Sequence, residues 1–284
     1  MARLKPHRQQ HLTSDPTTTG EPLKLSVNAL VLSPVRLRLH ALNTLWTYRG
    51  YWRLPRARTQ MRAERDKELH ETLPIIIVLA VVAGLLMFVV LPSSLNEQAT
   101  GLLASLWPLW VVQAAPMICA QSMAMQNAPA IALRLTEAQH HGEFSRDARL
   151  RGLQVARMAV PWIAAHAGVC AAASCLLVLF SLCFGLLAGF VLAVGDLRQT
   201  VDVVFASVPP LVWLRAGLSS MLLGAVCVLA AVLYAWPTGV ELRGAHNSHR
   251  TGLRAMLTAS ITCAAMGIFM NWVAGLLGWN GTVV

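Results

Sequence analysis

Five long apolar blocks dominate this chain, at about residues 74–91, 102–133, 160–194, 211–236 and 253–277. A hydrocarbon layer about 30 Å thick takes about 20 helical residues to cross, and blocks of this size fit it. No water is present in that layer to pair with backbone N–H and C=O groups, so each block has to satisfy them internally. A helix does this within one segment. A β-barrel would need short strands of alternating polarity, and the blocks do not alternate. The fold class expected is therefore all-α, a polytopic membrane protein with an N-terminal interfacial helix and five transmembrane helices. Composition agrees, because only 13% of the 284 residues are charged and 56% are hydrophobic. A soluble domain carries about 25% charged residues. The third block is too long for one perpendicular crossing, so it tilts or extends beyond the bilayer.

Charge then orients the spans. Of 23 Lys and Arg, 13 precede the first block, five lie between blocks 2 and 3, and three follow block 4. Only Arg198 and Arg215 remain for the other side. Short basic loops stay on the cytoplasmic side. The N-terminus is expected inside and, after five crossings, the C-terminus outside. The net charge of +10 then reads as attraction to anionic lipid, and nucleic acid is not expected as a partner.

The chain divides by composition into three parts. Residues 1–24 are polar and basic and are expected to be disordered. Residues 25–72 form a basic amphipathic segment, in which Trp46, Tyr48, Arg49, Trp52 and Arg53 interleave rings with guanidinium groups. That mixture suits the membrane interface, where rings sit at headgroup level and arginine meets phosphate. Residues 73–284 hold the five spans, with a charged loop at 134–157. No cleavable signal peptide is expected, since the first apolar run, 29–35, contains Pro34 and lacks a small-residue cleavage pattern.

Candidate chemistry is sparse. No HExxH, GxSxG or Walker loop occurs, so neither an enzyme nor a cofactor is expected. The six cysteines all lie in apolar blocks without a CxxC pair and read as apolar packing residues. His166 is the histidine inside a span; it stands alone and reads as a neutral, hydrogen-bonded side chain. His140, His141, His246 and His249 fall on two loops without a completing carboxylate or cysteine set, and no metal site is expected. Gly185 and Gly189 form a GxxxG pair, which permits close helix approach without naming the partner helix.

Span 2 is the most polar, with Gln113, Gln121, Ser122, Gln126 and Asn127 between Pro108, Pro116 and Pro129. Such amides need partners. Hydrogen bonding between helices is one use, and lining a polar cavity is another. Gln113, Gln121 and Gln126 are taken as candidate lipid contacts, with Val82, Leu86 and Val89 of span 1 facing acyl tails at near-helical spacing. In the loop, Glu143, Phe144, Arg146, Asp147, Arg149 and Leu150 are expected to form a short amphipathic helix that docks a cytoplasmic partner, anchored by Phe144.

This layout resembles the MlaE-type permeases, the membrane subunits of bacterial lipid-transporting ABC systems that work with MCE proteins. The likeness runs over about residues 25–278. Gln113-Ala-Ala-Pro116 falls where that family has Glu-Leu-Gly-Pro, with Gln113 at the carboxylate. Met125-Gln126-Asn127-Ala128 falls on a small-residue stretch, with Gln126 at its arginine. Leu133-Arg134-Leu135-Thr136 falls on an Ala-Glu-hydrophobic-Gly run, and Gly142-Glu143 on the docking helix. Pro161 matches the proline before span 3, and Thr251-Gly-Leu-Arg254 resembles the opening of the last span. The resemblance implies a homodimer in a bacterial inner membrane, with a periplasmic C-terminus. It also implies a separate cytoplasmic ABC ATPase, a periplasmic MCE-domain subunit and a membrane lipid held between the two permeases. A noncatalytic membrane scaffold subunit of another transport complex is the alternative.

Overall fold

The computed structural model describes residues 34–50, 54–90, 99–145, 147–192, 196–236 and 248–276. The stretch expected to be disordered, Trp52, Arg53, Arg146 and His246 lie outside the described residues. Two units divide the chain, Met1–Leu37 and Arg38–Val284. Of the first, the description covers only residues 34–37, the opening of a helix. The second holds every apolar block.

The regular structure among the described residues is all helical, in the order α1 (Pro34–Thr47), α2 (Pro55–Leu85), α3 (Ala99–Leu109), α4 (Ala115–His140), α5 (Ala148–Val191), α6 (Leu197–Ser207), α7 (Pro210–Tyr234) and α8 (Ser248–Leu276). Wide π turns extend α2 (Leu86–Val90) and join α3 to α4 (Trp110–Ala114). Five helical stretches among the described residues are long and apolar enough to cross a membrane. The protein is thus an all-α polytopic membrane protein.

Helix α2 runs unbroken from the charged segment into the first apolar block, with Pro74 inside it. The boundary drawn at residue 72 is therefore a change of composition within one helix. Its buried stripe is Glu68, Thr72, Ile76, Ala80 and then Ala83–Gly84, spaced at near-helical intervals along one face. That stripe packs on α5. The approach is close because both helices present glycine. A Cβ on Gly84 would lie 2.5 Å from the Ser181 carbonyl oxygen, and one on Gly185 would strike the Phe88 ring. The GxxxG pair of α5 thus packs α2 within the same chain. Helix α5 also packs on α7, α4 packs on α7 and α8, and α3 packs on α6.

Helix α5 is 44 residues long, about 66 Å if straight, more than twice the hydrocarbon thickness. It absorbs much of the segment expected to be a docking loop. Asp147 caps it by accepting from the Arg149 backbone N–H at 2.9 Å. Helix α4 ends at the opposite edge of the same loop, where Gly142 takes φ of 70°, a conformation that favours glycine. No separate docking helix stands between α4 and α5 among the described residues. Two strong helix ends leave only about residues 141–147 to connect them.

Candidate functional site

Where α2 enters the bundle, its polar half meets α4 and α5 around a cleft of about 310 Å³. Helix α2 supplies Glu64, Lys67, Glu68 and Glu71; α4 supplies Gln126, Asn127 and Arg134; α5 supplies Trp162 and His166. The buried stripe of α2 puts Glu68 on the face toward α5. There the Glu68 Oε1 lies 3.7 Å from His166 Nε2, with both side chains nearly inaccessible. That separation is too long for a hydrogen bond, and the contact is an ion pair only when the imidazole carries a second proton and the carboxylate none. The other ring nitrogen, Nδ1, lies 2.8 Å from the Trp162 carbonyl oxygen. A carbonyl only accepts, so Nδ1 carries a proton. If Nε2 and Glu68 both lacked one, two lone pairs would face each other. One further proton, held by either group, removes that repulsion.

Ion pairs frame the opening. Arg134 reaches Glu64 at 3.4 Å and stands 5.9 Å from the centre of the Trp162 ring. Lys67 lies 3.8 Å from Glu71, one turn along α2. The interior is polar and under-satisfied. Asn127 interacts with the Glu68 carboxylate, yet its Nδ2 reaches no acceptor at hydrogen-bonding geometry. Among the described residues, five buried side-chain N or O atoms have no hydrogen-bond partner, and four of them belong to this cleft: Glu68 Oε2, Asn127 Nδ2, Trp162 Nε1 and His166 Nε2. Each such atom costs about 1–3 kcal/mol unless something fills its bond. All four belong to residues that line the cleft, which gives it a polar wall.

The sequence-predicted residues scatter around this cleft. Gln126 lines it. Gln113 lies about 20 Å away along the helix axis, exposed at the π turn. Gln121 is half-buried and donates through Nε2 to the Ser260 carbonyl of α8 at 2.9 Å, which is the interhelical use of an amide. Val82 and Leu86 are exposed, and Val89 is half-buried. In the loop, Glu143, Asp147, Arg149 and Leu150 are exposed. Phe144 instead packs against the core, so Leu150 is the large apolar side chain that the described loop residues expose. Trp46 is exposed, with the Arg49 guanidinium 4.3 Å above its ring. Tyr48 packs on the core, and α1 is seated on α5 where Thr44 meets Gly152. Cys119, Cys170, Cys227 and Cys263 are buried, whereas Cys175 and Cys183 are exposed.

His166 does not stand alone, because Glu68 faces it from 98 positions away in the sequence. Glu68 sits in a run of alternating charges, Glu64-Arg-Asp-Lys-Glu68, and reads there as one more solvated side chain. A signal for it exists nonetheless. Carrying the apolar stripe of α2 back from Ala80 and Ile76 in steps of four gives Thr72 and then Glu68.

No family model matches the chain, and a search of curated proteins finds no match either.

Proposed function

We propose that this protein is the permease subunit of an ABC-type lipid transporter, acting as a homodimer with a lipid held between the two copies. The observation that carries the reading is Gln113. Its amide is exposed on the flank of the bundle, at a wide turn within an apolar helix. A polar amide facing acyl chains lacks hydrogen-bond partners. A second copy with a lipid headgroup between supplies them, since a neutral amide donates to phosphate without charge repulsion. Val78, Val82, Leu86 and Val90 form an exposed apolar row along α2 and its π turn, a surface suited to acyl tails. Burying tail methylenes gains almost nothing relative to bilayer, so selectivity rests on the polar end.

On this reading a separate cytoplasmic ATPase subunit hydrolyses ATP, and an MCE-type subunit receives lipid on the periplasmic face. Glu143, Arg149 and Leu150 would meet the ATPase. The N-terminal side is assigned to the cytoplasm by its charge. The test places a photoreactive residue at Gln113 and at Val89 in native membranes. Lipid adducts at both, lost when dimer formation is blocked, are expected. Crosslinks only to neighbouring protein would refute the cavity. Copurification of an ATPase with an MCE-type subunit is the second expected outcome.

The bond from Gln121 to Ser260 favours the alternative, a noncatalytic scaffold, for that one amide. A scaffold has no use for an amide exposed on the flank of the bundle, and Gln113, at the π turn just before α4, is where the two readings part.

A further inference from the structure

Three landmarks fix the depth of the cleft between α2, α4 and α5. Glu68 lies six residues before the apolar block of α2 and His166 six residues after the start of that of α5, and because the two side chains lie 3.7 Å apart they share one depth, near where the apolar blocks begin. Arg134 follows directly on the apolar block of α4. The cleft therefore straddles the junction of hydrocarbon and headgroups, a layer about 5–8 Å deep on each face of a bilayer.

The unfilled bonds define what fits. Asn127 Nδ2 and Trp162 Nε1 are donors, so they require an acceptor. Glu68 Oε2 is an acceptor when ionised and requires a donor. The occupant thus carries both kinds of group close together. Formal charge narrows it further. The lining holds three carboxylates, Glu64, Glu68 and Glu71, against two permanent cations, Lys67 and Arg134. With His166 adding no charge or one positive charge, the balance is one negative charge or none. An anionic headgroup is mismatched to that balance and a zwitterion suits it. A quaternary ammonium has no N–H to give Glu68, whereas a primary ammonium has three.

We propose that this cleft binds the phosphoethanolamine headgroup of a membrane phospholipid. The phosphate accepts from Asn127 and Trp162 with Arg134 and Lys67 beside it, and the ammonium donates to Glu68. The site lies within one copy of the chain, about 20 Å along the helix axis from Gln113, and does not depend on the transport reading.

The experiment is native mass spectrometry of the full-length chain, released from micelles titrated with phosphatidylethanolamine, phosphatidylcholine or phosphatidylglycerol of matched acyl chains. Phosphatidylethanolamine is expected to be retained at least about tenfold more tightly than the others, the scale of one charge-assisted hydrogen bond. Glu68→Gln keeps the shape and removes the charge, and is expected to abolish the preference. Asn127→Asp, also isosteric, turns the donor toward phosphate into an acceptor and is expected to weaken retention, which keeps a test available should Glu68→Gln fail to fold. Equal retention of the three lipids by the unaltered chain overturns the proposal. Unchanged retention in the folded variants also overturns it. Saturation by soluble glycerophosphoethanolamine without retention of the lipid overturns the membrane source. Gln113→Leu is expected to leave the preference intact, so a failure of the between-copies cavity is told apart from a failure of this site.

Discussion

Gln121 and Asn127 lie less than two turns apart on α4 and meet opposite circumstances. The Gln121 amide is matched by the Ser260 carbonyl of α8. The Asn127 amide faces a buried carboxylate and leaves Nδ2 without a bond. The sequence context of the two is alike: an amide beside an Ala, with a Met two positions away, within an apolar block. What differs is the helix across from each. Helix α8 offers Gln121 a backbone oxygen, while α2 and α5 offer Asn127 the ionisable pair Glu68 and His166. A polar residue in a span is therefore read from its neighbour across the bundle and not from its own segment.

The contrast breaks most severely at the ionisable pair. His166→Leu would leave Glu68 buried opposite an apolar group, and a loss of about 3–5 kcal/mol is expected in unfolding from micelles. Pairing it with Glu68→Leu should recover most of that loss, because the stranded charge is gone. A double variant as unstable as the single one would show that the two groups do not interact. Next in size is Gly84→Val, which drives a side chain into the α5 backbone at Ser181. A destabilisation of about 1–3 kcal/mol is expected, measured as thermal unfolding, with α2 and the cleft wall displaced together.

On the satisfied side, Gln121→Leu removes one interhelical hydrogen bond. Such bonds within membranes contribute about 0.6 kcal/mol on average, so a small fall in unfolding free energy is expected. A loss as large as that of His166→Leu would mean that the two amides play the same part after all. The smallest effect is expected at Val82→Ala, which trims an exposed side chain and should change stability by less than about 0.5 kcal/mol. Its value is as a reference for a substitution that touches lipid alone.

The five crossings were legible because a block of about 20 apolar residues has few other solutions. Where each helix ends was not. Helix α2 continues through its charged half because Glu, Arg, Lys and Ala are good helix formers, and polarity alone does not stop a helix. The docking segment read as a helix of its own, yet Asp147 and Gly142 hand its two ends to α5 and α4. Phe144 read as an outward anchor on its size, whereas the structure turns it onto the core. Glu68 and His166 were legible only as types. Their meeting depends on α2 packing along α5, and a GxxxG pattern does not announce which helix will take it.

The π turn at Trp110–Ala114 gives the chain a phase correction. Trp107, Val111, Ala115, Cys119 and Met123 are all buried, a spacing of four throughout. On an uninterrupted α-helix, that spacing drifts by about 40° per step, or about 160° across the row, and its two ends would point to nearly opposite sides. The wide turn, in which the Ala115 N–H donates back to the Trp110 carbonyl, takes up more residues per revolution and winds part of that drift back. Trp107 thereby still meets Phe88, edge to face at 5.6 Å, while Met123 remains in the core. Chain length between Pro108 and Pro116 is thus itself encoded information: an insertion or deletion of one residue there would rotate everything before it, without altering a single apolar side chain.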